Sequence, residues 1–389
     1  MADVFLSYME NKKDPSWLLD YRKKEGEKSY VLGFEEKRLF TKYIEHEKEF
    51  YFDGINDMGR KPRLILEYDK AEFDGKVRIL PLEDAGEKPD IINEFSDRDK
   101  MQTIFNSSFD EGVLIQFGEN ASPGGVFKIR QIVKSGIKIG KIMIVIGKNS
   151  VIRLGFEAET AEEAYSGQNI DIITKENSEA ELMMSDLSSG RSITNLNITA
   201  NGRVNISSVI AGSRISRNRI WVDLKEHSDL HVGQVVIGSK EGYFDVESEV
   251  LHSEKNTKSN IDYRSVLDGS SKAIYKGVIR QEKAAVNSRT YLSEHALMLS
   301  KNAKNVSVPS LEIEADELKA YHSASSQPID KKMLFYAMSR GLGEKSAIKI
   351  LAEGFIMSSF GSVKEEFMDT MRDKIGKSLD YLEEIDLDS

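Results

Sequence analysis

Few side chains in this sequence can do chemistry, and cysteine is not among them. The 389 residues include no Cys and six His, which removes disulfides, thiolate nucleophiles and Cys-bound metal together. Of the histidines, His322 has the most suggestive setting. It follows a β-rich segment that closes on Pro309-Ser310-Leu311-Glu312-Ile313, and helical patterning starts directly after it. A neutral imidazole placed there can offer a nitrogen to a metal, or it can bond a backbone carbonyl where sheet gives way to helix. A lone histidine is not a metal site, so the residue taken alone favours the second role. Gly147-Lys148-Asn149-Ser150 has the Gly, Lys and Ser of a phosphate loop. It lacks the preceding glycine and the strand-to-helix context, and it reads as a β-turn. His227 and His231, at a turn and just beyond it, carry no assignment.

The elements that must position these residues change texture along the chain. Near the start, Asp14 can cap a helix, Pro15 suits its first turn, and Trp17, Leu18 and Tyr21 share one face. A second helix is predicted over 35–50 and a third over 97–105. From Gly124 to Val308, 185 residues, there is no proline, and all seven prolines lie outside this tract. Proline is excluded from the interior of hydrogen-bonded sheets, so a long proline-free tract with period-2 apolar residues predicts continuous strand pairing. Within it a short strand, a tight turn and another short strand recur, with turns centred near Asn149, Gly202, His227, Ser270 and Asn302. The turns are unevenly spaced, yet their likeness points to stacked solenoid coils. An antiparallel sandwich fits the periodicity equally well. After Ser326 the period becomes helical. Asp330 caps a helix carrying Leu334, Phe335 and Met338, and Gly341 is placed to end it. A helix over 344–354 follows, and a third puts Val363, Phe367, Met371, Ile375, Leu379 and Leu382 on one stripe.

The length suggests two or three units, read as a mainly helical region over 1–105, a β core over 106–320 and a helical domain over 321–389. Lys+Arg number 54 against 64 Asp+Glu, a net charge of −10 with the signs interspersed, which leaves no electrostatic footprint for nucleic acid. The start has no signal-peptide pattern and the most apolar run, 142–146, is far too short to cross a bilayer. A cytoplasmic protein without membrane partners is the expectation.

The stretch from Asp268 to Phe355 resembles the core of the SufB/SufD family, the scaffold subunits of the SUF iron–sulfur assembly machinery. Leu251-His252 with Asn256, Thr257 and Ser259 resembles the family's histidine followed by a Thr-Lys-Ser segment, and Tyr275-Lys276-Gly277 its aromatic-x-Gly strand. Pro15-Ser16-Trp17-Leu18-Leu19 with Arg22 resembles its amino-terminal helix. The resemblance implies a mainly β fold, a right-handed parallel β-helix flanked by amino- and carboxy-terminal helical segments. It also implies a non-catalytic scaffold that pairs with a SufB-like subunit, docks a SufC-like ATPase, and self-pairs as a homodimer when isolated. No cofactor or metal is then held by the chain alone; an iron–sulfur cluster would be bound transiently at the SufB-like interface.

At the position of the cysteine of SufB-type subunits this chain has Glu294, and Ser323 follows His322 where SufB types have an acid. The chain is therefore SufD-like. It departs from the SufD turn by placing Ser323 where glycine is usual, which would strain the backbone if a positive φ were needed. The resemblance implies His322 as an interface ligand to a nascent cluster. Glu294 is a weaker candidate, with a solvated glutamate as the plainer reading. His295 would face the opposite way from Glu294 in a strand, and His252 reads as a coil-to-coil hydrogen-bonder. In the helical tail, Tyr336 and Arg340 at i, i+4 share a face that suits the ATPase, whereas Phe335 is expected to pack on the last coil. A different class of function, a β-helix enzyme acting on polysaccharide, accounts for the fold without the resemblance.

Overall fold

The computed structural model describes residues 14–33, 64–95, 99–212, 214–360, 365–380 and 382. The proline-free tract becomes strands that never pair with their sequence neighbours. One sheet stacks Phe127–Val133 (β4), Val151–Thr160 (β6), Ser178–Leu187 (β8), Gly202–Ala211 (β10), Asp229–Gly238 (β12), Lys258–Leu267 (β14), Ser288–Met298 (β16) and Leu318–Pro328 (β18). The other stacks Glu111–Phe117 (β3), Ile137–Ile146 (β5), Tyr165–Thr174 (β7), Arg191–Ala200 (β9), Ile215–Leu224 (β11), Tyr243–His252 (β13), Lys272–Gln281 (β15) and Lys304–Ile313 (β17). Every one of these pairings is parallel and skips one strand, as in Arg217 opposite Asp245 and Ile206 opposite Val232. That is a parallel β-helix of eight coils among the described residues, and it excludes the antiparallel sandwich.

Alternation along each strand sends one set of side chains into the lumen. Ile144, Ile172, Ile198, Val222, Val250 and Ile279 lie opposite one another on successive rungs, and all are fully buried. Each such side chain contributes roughly 1.5–3 kcal/mol relative to exposure. The corners repeat as well, contrary to the uneven spacing read from the sequence. Asn120, Asn149, Asn177, His227, Asn256 and Asn287 all take positive φ, a conformation that asparagine and histidine tolerate better than most residues. Asn149 donates to Asn120, Asn177 to Asn149 and Asn287 to Asn256 across separations of 29, 28 and 31 residues. Gly202 is no turn centre: it opens β10, where an added Cβ would sit 2.1 Å from the Ser178 carbonyl oxygen.

The ends differ. At the amino-terminal end the short antiparallel strands Ile65–Glu67 (β1) and Val77–Pro81 (β2) pair with β4 and β3. At the other end β17 and β18 are the edge strands of both sheets. Pro81, Pro309 and Pro328 all fall on these outermost strands, where a missing N–H breaks no interior ladder.

Helices cover each sheet. Ser16–Lys28 (α1) and Lys100–Ser108, numbered α3 after the single turn Lys70–Phe73 (α2), lie on the β3-containing sheet. There Leu18 and Phe105 pack with Met143, Tyr165 and Ile193. Asp14 does not cap α1; Pro15 occupies that position and Asp14 instead pairs with Arg22 at 2.8 Å. Asp99 caps α3, accepting from the Gln102 amide at 2.8 Å. The helix expected over 35–50 lies outside the described residues. At the carboxy terminus Lys331–Ser339 (α4), Glu344–Met357 (α5) and Glu365–Leu379 (α6) follow, α4 capped by Asp330 as expected. Ile348, Ile356, Met371 and Ile375 of α5 and α6 pack with Val209, Val235 and Val266 on the outside of the β4-containing sheet. No described helix is long and apolar enough to cross a membrane.

Candidate functional site

The lumen columns of the β4-containing sheet lead to the sequence-selected residues. Leu154, Leu182, Ile206, Val232, Ile261 and Leu292 oppose one another on successive rungs, and the next rung is His322. The apolar column thus ends in an imidazole on the terminal strand, at the open mouth of the lumen. His322 is therefore on a strand rather than in a closing turn, and it is exposed. Ser323 continues the strand with no positive φ, so serine there carries no strain; its hydroxyl meets the Tyr291 hydroxyl at 3.3 Å.

The neighbouring column runs Phe156, Met184, Ser208, Gln234, Tyr263, Glu294 and Ala324. Glu294 is not solvated, as the plainer reading had it: it is 1% exposed and faces the lumen. Neither carboxylate oxygen has a partner in good hydrogen-bond geometry, although the Ser307 hydroxyl lies near enough to act on it. Burial pushes its pKa up to about 7, with the Ser307 hydroxyl acting in the opposite direction. Beside it, Tyr263 and Tyr275 stack with ring centroids 4.0 Å apart, and burial raises both phenols. Gly277 makes the room: a Cβ there would come within 2.7 Å of the carboxylate. Further down the lumen Gln234 donates to Asn218 at 3.0 Å and accepts from Ser248 at 2.9 Å. These two columns are apolar in the early coils and gain polar side chains toward the open end.

Parity along β16 carried the signal for this placement. Leu292, Glu294 and Ala296 alternate with Ser293 and His295, so Glu294 shares the apolar face. His295 points outward, its Nδ1 2.8 Å from the Ser325 hydroxyl; burial lowers its pKa, aided by the charge of Arg264. His252 is fully buried, bonded to Thr257 at 2.7 Å and Ser259 at 2.9 Å, and these continue to Ser288 and Thr290 on the next coil. Without a charged partner, burial lowers its pKa to about 4, so it stays neutral as a hydrogen-bonding spacer between coils. Gly147–Ser150 forms the β5–β6 corner.

In the tail, α4 stands clear of the sheet. Leu334 alone of its residues is buried, and Phe335 is 73% exposed, which overturns its expected packing on the last coil. Arg340 donates to the Tyr336 hydroxyl at 2.9 Å and lies 5.0 Å over its ring, so the two form one exposed face. Among the described residues no three His, Asp or Glu side chains gather closely enough to hold a metal ion.

The family model described as "SUF system FeS cluster assembly, SufBD core domain" matches residues 128–355, well over half of the chain. The chain belongs to the SufBD family. A SufBD family protein of Pyrococcus horikoshii is 31% identical over 157 residues, 40% of this chain and 34% of that protein. One from Mycobacterium tuberculosis is 29% identical over 147 residues, 37% of this chain and 17% of that one. A third, from Staphylococcus epidermidis, is 28% identical over 122 residues, 31% and 26% of the two chains. All three are named as iron–sulfur cluster assembly proteins, and the matched stretch spans about a third or less of each. The SufBD match takes in the lumen from β4 to β18 and ends in α5, so it includes Glu294 and His322.

Proposed function

We propose that this chain is a SufD-type, non-catalytic scaffold subunit for iron–sulfur cluster assembly in the cytoplasm. It pairs edge-wise with a SufB-like subunit and docks a SufC-like ATPase. The observation that carries this reading is the carboxy-terminal end of the β-helix, where no described strand pairs beyond β17 and β18. Long edge strands bearing exposed apolar side chains are templates for pairing with another chain. Here β17 and β18 are both edges, with Ile313 46% and Tyr321 59% exposed. A second copy of the same edge supplies the homodimer when the partner is missing.

His322, at the mouth of the lumen, offers its imidazole to iron of a cluster handled between the two subunits, with thiolate supplied by the partner. The chain has no cysteine, so the cluster is cargo of the pair. Glu294 lies one rung deeper than His322 and supports the wall of the lumen rather than the interface. The exposed Tyr336–Arg340 face of α4 receives the ATPase.

Replacing Tyr336 and Arg340 together with alanine is expected to weaken ATPase binding by at least about tenfold, since Tyr and Arg dominate interface hot spots. Both side chains are exposed and α4 is stabilised by its cap, so circular dichroism should not change. Immobilised full-length chain titrated with the SufC-like protein reads the effect. Unchanged affinity would remove α4 from the interface.

A further inference from the structure

One cleft on the solenoid is charged against the sense of the whole protein. It occupies about 640 Å3 where the β4-containing sheet turns into the β3-containing sheet. Arg214, Lys272, Lys301 and Lys304 line it, against the single carboxylate of Glu241. The chain as a whole carries −10. The cations arise from register. Ile215, directly after Arg214, lies opposite Tyr243, Tyr243 opposite Lys272, and Lys272 opposite Lys304. Rungs are about 4.8 Å apart, so the row spans roughly 14 Å. Lys272 and Lys304 thus stand one rung apart on the same wall. Ser270 and Asn302 add neutral donors to the same wall. The larger groove at the opposite corner, about 740 Å3, is more balanced: there Glu179, Arg203, Asp229 and Lys258 alternate in sign along the rungs before Arg289 follows Lys258.

We propose that this corner cleft binds a small ligand carrying a diphosphate group, its oxyanions bridging Lys272 and Lys304 and reaching toward Arg214. A compact anion gains charge-assisted hydrogen bonds from the two lysines. The length of the row favours two linked phosphates over one. Glu241 opposes the ligand and sets a limit on its charge. The assignment stands independently of the scaffold reading.

The test is calorimetric titration of the full chain with inorganic pyrophosphate at fixed ionic strength, with orthophosphate and ADP in parallel. Saturable binding of pyrophosphate, weaker binding of orthophosphate, and about tenfold loss in Lys304→Gln and in Lys272→Gln are expected. Glu241→Gln should bind more tightly, an opposite change that misfolding does not produce. ADP equal to pyrophosphate restricts the site to the diphosphate, and tighter ADP extends it to a nucleotide; either supports the assignment. Absence of saturable binding at millimolar pyrophosphate, or binding that none of the three variants alters, would overturn it.

Discussion

Replacing Asp99 with alanine is expected to destabilise the protein by about 3–5 kcal/mol, the usual cost of removing one partner from a buried ion cluster. Asp99 caps α3 through one oxygen; its other oxygen meets Arg219 at 2.6 Å and Arg217 at 3.4 Å. Its removal leaves two guanidinium groups in a place with almost no solvent. The network continues up the sheet, with Arg219 to Glu247 at 3.3 Å and Lys276 to Asp245 at 2.8 Å. It therefore ties the amino-terminal helices to the middle coils. Burial works to raise the Asp99 pKa, but Arg217 and Arg219 together with its hydrogen bonds outweigh burial and hold it low. Stability from this group is present above the unfolded carboxylate value of about 4 and is lost as pH falls through the lower folded value. Urea denaturation at neutral pH measures the loss. A destabilisation below about 1 kcal/mol would show that Asp245, Glu247 and Glu249, which already lie within 4.0 Å of these guanidinium groups, suffice to hold them.

Glu294→Gln is expected to act in the other direction, and only in part of the pH range. With the folded carboxyl raised to about 7 and the unfolded one near 4.3, its contribution is complete below the unfolded value. It is lost as pH rises through the folded one. The difference amounts to about 4 kcal/mol between the protonated and ionised limits. Glutamine cannot ionise, so the variant should match the parent at pH near 4 and exceed it by about 3 kcal/mol at pH near 8. Urea midpoints at the two pH values give the comparison. Equal pH slopes in the two proteins would mean that water reaches the carboxylate.

These two residues also mark what the sequence could and could not convey. The proline-free tract announced a sheet because proline fails in ladder interiors, and Pro81, Pro309 and Pro328 indeed sit on edges. Parallel pairing was not legible from the period, because alternation is the same in either direction; the family resemblance supplied it. The corner repeat was hidden because His227 replaces asparagine in it and because Gly202, chosen for close approach to Ser178, imitates a turn. Glu294 was misjudged on residue type, although Leu292 and Ala296 flanking it at period 2 place it inward. Phe335 was misjudged by the converse assumption that a large apolar residue must pack. Exposure of such residues is informative mainly where they gather, as they do on α4 and along the open end. The buried charges around Asp99 had no local signature, since Arg217, Asp245 and Lys276 meet only through the solenoid register.

The scaffold reading is tested most directly by co-expressing this chain with SufB-like and SufC-like proteins and reading the composition of the assembly by native mass spectrometry. The expected result is a stable complex containing all three, in which substitutions of Tyr336 and Arg340 release the ATPase while the SufB-like subunit stays bound. A chain that remains alone or self-paired beside soluble, folded partners would contradict it.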